Sequence, residues 1–279
     1  MEKYNKIHWK KGLEVTPEIL TDTDNYHIAE RSLLGRFFAS RLYGLSPGTE
    51  FYIKKEIDND RVYIKKLECV AITRNGCIIN VQENTPFNKE LSLSNSEDAE
   101  FYVVLTVNPY AVTPDEYKLE LKKTDETIEN GIPVLKLYQN RRYWEIDADY
   151  IPPSVALCSV DALKQLYVET KNTLNHIVGK LPEGNAFYAQ IALLKLELDN
   201  YCLQESPQKF TLLLKKICWI LKLYLKSIKK ANQLPGVNAF IEMPYNHNEI
   251  REIVHSGVEN LMNIDQRIDE QPEEYELKI

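Results

Sequence analysis

Apolar and polar residues are spaced in two different ways along this chain, and the change falls near residue 150. From residue 48 to about 150 the dominant spacing is two, as a half-buried strand requires. "TEFYIKKEIDNDRVYIKKLECVAIT" gives two runs rich in β-branched and aromatic residues about the turn Asp58-Asn59-Asp60. "TRNGCIINV" sets Asn75-Gly76 between apolar runs, a strong signal for a two-residue hairpin turn with positive φ at both central positions. "AEFYVVLTV" (99–107) is almost continuously apolar, as suits a strand covered on both faces. "YKLELKK", "IPVLKLYQ" and "YWEIDADY" bring the expectation to six or seven strands. Turn residues between them predict an antiparallel β-sandwich or barrel-like domain.

Helical spacing brackets these strands. Within 21–45, Asp24 or Asn25 is a cap candidate, and Ile28, Leu33, Leu34, Phe37, Phe38 and Leu42 follow at steps of about three and four. This predicts a short helix over about 24–43, ending near Gly44. After "YIPPSVALCS" (150–159), whose paired prolines stop any ladder or helix, the spacing is helical throughout. Leu163, Tyr167, Thr170, Leu174, Ile177 and Leu181 make one stripe; Phe187, Ile191, Leu194, Leu198 and Tyr201 make a second. Ser206-Pro207 is a clear start for a third helix. Ile250, Val254, Gly257, Leu261, Ile264 and Ile268 align a fourth. The predicted class is α+β, β first: a β-rich shell domain over 1–153, then an antiparallel four-helix bundle with an acidic tail over 154–279. Tyr150, Ile151, Pro152 and Pro153 form the junction, and the connection 232–246 reads as irregular.

The third helix, "KFTLLLKKICWILKLYLKSIKK", carries more apolar surface than a bundle needs. Phe210, Leu213, Ile217, Leu221, Tyr224 and Ile228 form one stripe, Leu212, Trp219 and Leu223 a second, and Lys215, Lys222, Lys226 and Lys229 a basic line. A helix needs one stripe to enter a core, so the second calls for another cover. Extra burial in a central helix, a subunit interface, and a basic helix lying on a membrane all remain open at this point.

Composition narrows the classes. A formal charge of -7 disfavours wrapping nucleic acid, and 17 tyrosines against 10 glycines tilt toward protein–protein contact. Five cysteines, odd in number and without CxxC spacing, argue against a disulfide framework and for a reducing compartment. No apolar signal core opens the chain, and the longest apolar run, around "ICWILKLYL", is interrupted by lysine. A cytoplasmic protein with no direct membrane insertion is expected.

Candidate chemistry is sparse. No two of His8, His27, His176, His247 and His255 share the i, i+4 spacing of helical metal ligands. Glu145, Asp147 and Asp149 alternate along an expected strand and would share a face. There they could bind a hard cation or do acid–base work, but such a row is more often the wet face of a sheet over an inward Trp144, Ile146, Ala148 and Tyr150. There is no P-loop, dinucleotide fingerprint or nucleophile elbow. No catalytic, cofactor or metal residues are assigned, and no enzyme is expected.

The opening "KIHWKKGLEVTPEIL" is too apolar for an idle terminus. "HWKKGLEVTPEIL" is similar to the Trp-x-x-Gly-Met-x-Leu-x-Pro signature through Trp9, Gly12, Leu13, Val15 and Pro17. "AITRNGCIINVQENTPF" matches a glycine-centred strand pair through Gly76 and Pro86, and "YWEIDADYIPPSVAL" an Asp-x-x-Tyr-Ile-Pro-Pro junction through Asp147, Tyr150, Ile151, Pro152 and Pro153. In this order, over most of the chain, these stretches resemble the TssK family of type VI secretion baseplate subunits. Two departures stand out: "TPEILTD" replaces the usual Pro-Gln-His-Phe-Gln run, and "SPGTEF" the Pro-Tyr-x-Trp-Gly segment. The usual C-terminal domain has no counterpart here, which implies a truncated or short form.

The resemblance implies a structural adaptor assembled at the inner face of the inner membrane. Its shell domain would grip a TssF/TssG-like wedge, and its helices would pack in a homotrimer through Leu212, Trp219 and Leu223. Membrane-complex proteins would be partners too, met directly or through other subunits. Trp9, Leu13, Val15 and Pro17 become a docking arm, either on the chain's own shell, which the sequence favours, or on a partner. The competing class is a phage-tail-like receptor-binding or small-ligand-binding β-sandwich module.

Overall fold

The computed structural model describes residues 6–39, 42–48, 50–58, 60–93, 99–111, 116–141, 143–228 and 234–269. Lys229 and most of the acidic tail (270–279) lie outside the described residues, as does the Phe38 side chain. The chain is α+β and falls into two compact units, Met1–Pro153 and Ser154–Ile279.

The first unit opens with α1 (Pro17–Ala39) and continues with β1 (Gly44–Leu45), β2 (Tyr52–Asp58), β3 (Arg61–Ile72), β4 (Ile78–Val81), β5 (Glu90–Ser92), β6 (Glu100–Val107), β7 (Tyr117–Lys123), β8 (Gly131–Asn140) and β9 (Tyr143–Ile146). All pairings are antiparallel. One sheet is built on β3, which pairs with β2 and β5 along its first part and with β1 and β4 at its end; the other runs β7-β6-β8-β9. The two added strands, β1 and β5, are two and three residues long, too short to leave an alternation in the sequence.

A bulge in β3 explains how one strand serves both ends of its sheet. Lys54 pairs with Lys66 but Lys55 with Ile64, which leaves Lys65 without a partner across the β2–β3 ladder. One extra residue reverses which side chains face inward. Val62 and Ile64 are buried before it, Leu67, Cys69 and Ala71 after it. A second bulge falls in β8 beside Pro133, which has no N–H to give a regular ladder. Central β6 buries Phe101 through Leu105 almost completely, as its apolar run requires, and Phe101 meets Trp144 of β9 at 5.6 Å between ring centroids.

The hairpin at Asn75-Gly76 is wider than a two-residue turn. β3 ends at Ile72 and β4 begins at Ile78; Gly76 N donates to Thr73 O at 3.0 Å and Thr73 N to Cys77 O at 2.9 Å. Only Gly76 of the central pair has positive φ, at 78°. The reason lies in what the turn must receive, described below.

The second unit contains α2 (Asp161–Lys180), α3 (Tyr188–Asp199), α4 (Pro207–Ser227), α5 (Pro235–Glu242) and α6 (Ile250–Asp269). Helix α2 packs on α6, α6 on α4, α4 on α3 and α3 on α2, while α5 wedges against α4 and α6. The connection read as irregular therefore holds a helix: Pro235 starts it, and Val237 and Phe240 are fully buried. The stripe from Leu163 to Ile177 on α2 is buried, as is Leu181 just past its end, and so are Phe210, Leu213, Ile217, Leu221 and Tyr224 on α4. Ser206 caps α4, its hydroxyl accepting from Lys209 N at 3.3 Å. An ionic clasp joins α2 to α6: Asp265 takes His176 Nδ1 at 2.7 Å and Lys180 Nζ at 2.8 Å.

Candidate functional site

The carboxylate row does not survive folding. Strand β9 ends at Ile146, so Asp147 and Asp149 lie in a turn, where Asp147 Oδ1 accepts Asp149 N at 2.9 Å. Glu145 is held by Tyr138 Oη and the Asn140 amide, both at 2.8 Å, which keep its carboxyl below the usual range. Three carboxylates that strand alternation would align are thus split between a ladder and a turn. Among the described residues no group of three His, Cys, Asp or Glu could hold a metal ion.

The cysteines offer no activated thiol where burial dominates. Desolvation pushes Cys69 and Cys218 up to about 12, leaving them protonated at neutral pH. In the unfolded chain a cysteine ionises near about 8.5, so above that pH the unfolded state has lost protons the folded state keeps. Stability is therefore unaffected below about pH 8 and falls as pH rises toward 12, by about 1.4 kcal/mol per unit for each thiol. Urea melts at pH 8 and pH 10 check this, and Cys218→Ala should flatten the slope.

Among the described residues, three apolar surfaces bear on the expected docking role. The first is on α3 and α4. Leu193, Leu196, Leu212 and Trp219 are 66%, 56%, 54% and 47% exposed, while Leu223 is half-buried. A groove of about 360 Å³ runs between the helices, walled by Leu193, Leu194, Trp219 and Ile220 and flanked by the Lys216–Glu197 ion pair at 3.2 Å. Scattered exposed leucines need no explanation, but a contiguous patch does. The sequence marked the α4 side of it. It missed Leu193 and Leu196, because "IALLKLEL" is apolar all round and gives no stripe to read.

The second is α1, which is turned opposite to its expected stripe. It starts at Pro17 rather than near Asp24, with Thr16 Oγ1 receiving Ile19 N at 3.4 Å. Thr16-Pro17 is itself a cap and first-turn signal, and it lies about two turns before Asp24. The side turned to its own unit is small and polar. Ser32 is buried with its hydroxyl 3.8 Å from Cys77 Sγ, and Arg36 Nε donates to Asn75 O at 3.4 Å. Gly35 lies so close to the hairpin that a Cβ on it would stand 2.3 Å from Gly76 O. Meanwhile Leu20, Leu33, Leu34 and Phe37 are all more than half exposed. Most helical stability in proteins comes from packing an apolar face, and here that face is turned outward.

The third is the arm. Gly12, at φ 90°, allows a turn closed by Leu13 N donating to Lys10 O at 3.1 Å. Leu13 is half-buried, Pro17 begins α1, and Trp9 and Val15 keep 53% and 58% of their surface. Trp9 is thus not buried on its own unit, the docking mode the sequence favoured. At the junction, Ile151, Pro152 and Pro153 are buried, Pro153 O accepts Leu45 N at 2.7 Å, and Tyr150 packs on Tyr102 at 5.7 Å. Among the described residues no helix is long and apolar enough to cross a membrane.

Comparison with known proteins was informative for structure alone. No family model matches the sequence, and neither does any curated protein. Among solved structures, the chain is similar to a chain of the type VI secretion TssK-TssF-TssG baseplate subcomplex, with TM-score 0.64 and 13% identity over 95% of this chain and 99% of that one. It is similar to a crystal structure of TssK, with TM-score 0.61 and 11% identity, covering 94% of this chain and 69% of that one. TssK from EAEC in complex with a nanobody gives TM-score 0.60 and 13% identity, covering 87% and 67%. At such identity the likeness establishes the fold, shared across both units.

Proposed function

We propose that this chain is a structural, non-catalytic subunit of a type VI secretion baseplate. In this reading it is a cytoplasmic homotrimeric adaptor between a TssF/TssG-like wedge and the membrane-anchoring complex, which it meets directly or through other subunits. The observation that carries the reading is the fold likeness to a baseplate-subcomplex chain, which spans nearly the whole of both chains. The surface supports it: among the described residues there are several exposed apolar patches, as an assembly subunit should have. The α3–α4 face is assigned to self-association and the arm with Trp9 to the wedge.

The test is co-purification of the full chain with wedge proteins from the same source, beside a glycan-array screen. Capture of the wedge pair with no glycan signal supports the adaptor, whereas glycan binding without wedge capture supports a receptor-binding module. Within that assay, Trp9→Ala should leave thermal stability within about 0.5 kcal/mol, because the ring is largely exposed. It should weaken wedge capture about tenfold, as truncation of an interface tryptophan does. Unchanged capture would remove the arm from the wedge interface.

A further inference from the structure

Where the C-terminal half of α1 meets the Asn75-Gly76 hairpin and the ends of β6 and β8, the first unit carries a solvent-open cavity of about 420 Å³. Its lining is rich in hydrogen-bond donors that the protein leaves unused. Arg36 spends its Nε on Asn75 O, and among the described residues its other guanidinium nitrogens meet no acceptor and no carboxylate. Asn108 Oδ1 accepts Tyr110 N at 3.2 Å and Asn130 Oδ1 accepts Asn75 Nδ2 at 2.7 Å. That orients both side chains with their NH₂ groups uncommitted.

A basic residue in the last turn of a helix complements the carbonyl end, which accounts for the charge of Arg36. It does not account for two further amide donors left unpaired around one cavity. In the free chain water meets these solvent-facing groups; an acceptor-bearing ligand would take its place, and the single positive charge favours a monoanion. Dianionic phosphate generally draws several cations or a helix N-terminus, whereas here the Glu129 carboxylate, 3.2 Å from Asn75 Nδ2, sets a negative charge close by. Beside the donors, Val107, Pro109 and the half-exposed ring of Tyr110 form an apolar wall. Asparagine amides match both the N–H and the C=O of a peptide, and the volume suits one or two residues rather than a folded domain.

We propose that this cavity is a recognition site for an extended peptide segment bearing a carboxylate, clamped by Arg36 with Asn108 and Asn130 and backed by Val107, Pro109 and Tyr110. The site is independent of the baseplate reading and stands whatever assembly the chain joins. The experiment is a titration of the full chain, labelled with ¹⁵N at Asn and Arg, followed through the side-chain N–H signals. The probes are acetyl-Gly-Glu-Gly-amide, its Gln counterpart, sodium acetate and inorganic phosphate.

The Glu peptide should shift the signals of Arg36, Asn108 and Asn130, the Gln peptide and phosphate should not, and acetate should bind at least tenfold more weakly than the Glu peptide. Arg36→Gln should weaken the Glu peptide about tenfold, the usual worth of a hydrogen bond to a charged group. Asn108→Ala should weaken it severalfold, and serves alone if Arg36→Gln does not fold. Equal response to the Glu and Gln peptides, a stronger response to phosphate, acetate binding as tightly as the peptide, or no shift at all would each overturn the proposal.

Discussion

Leu193→Asp with Trp219→Asp is expected to abolish the self-association proposed for the α3–α4 face, giving a monomer of 32.5 kDa, while leaving the fold of the second unit intact. In the free chain both side chains are about half exposed or more, so neither supports the core, and polar replacement there should change folding by no more than about 1 kcal/mol. In a self-associated form the same positions would bring two carboxylates into an apolar groove. Of the nearby basic side chains, Lys216 is already paired with Glu197, and Lys222, which lies over the Trp219 ring, is engaged by the Asn238 amide oxygen. Desolvating unpaired charge costs several kcal/mol per group, so about 4 kcal/mol, a thousandfold in association, is a conservative expectation. Light scattering reads the mass and circular dichroism the fold. An unchanged mass would place self-association elsewhere.

Gly76→Ala should cost about 3 kcal/mol and release α1 from its unit, through two effects that can be separated. A Cβ at Gly76 would stand 2.2 Å from Arg36 N and 2.3 Å from Ser32 O, backbone atoms that cannot swing away. Its φ of 78° adds the cost of a left-handed conformation for a residue with a side chain. Gly48 provides the control, since it has φ 86° but open space around its Cβ direction. Gly48→Ala should therefore cost only about 1 kcal/mol. Hydrogen exchange should accelerate across Pro17–Ala39 in the first variant and not in the second. Equal costs in the two would show that the helix–hairpin approach contributes nothing.

The same joint shows where the sequence was readable. Asn75-Gly76 announced a hairpin, and a hairpin is there. That it widens to receive a helix backbone is a tertiary fact with no local signature. In β3 the Lys65-Lys66 doublet between Ile64 and Leu67 records the bulge that flips the buried face, legible once the ladder is known. Helices α2, α4 and α6 were readable because each buries a full stripe. Helix α1 was misread because its inward side carries Ser32 and Gly35, while its leucines and Phe37 point out. Periodicity tells which residues share a face, not which face meets the chain's own core. The docking surfaces were half legible for that reason: Leu212 and Trp219 stood out as surplus on a helix already supplied with a stripe, and Leu193 and Leu196 did not.

Native mass spectrometry of the full chain co-expressed with TssF/TssG-like wedge proteins is the decisive test of the baseplate proposal. Three copies of the 32.5 kDa chain are expected together with the wedge proteins in one particle, and three copies together when the wedge is omitted. A chain that stays at 32.5 kDa at micromolar concentration and never appears in a particle with the wedge would contradict it.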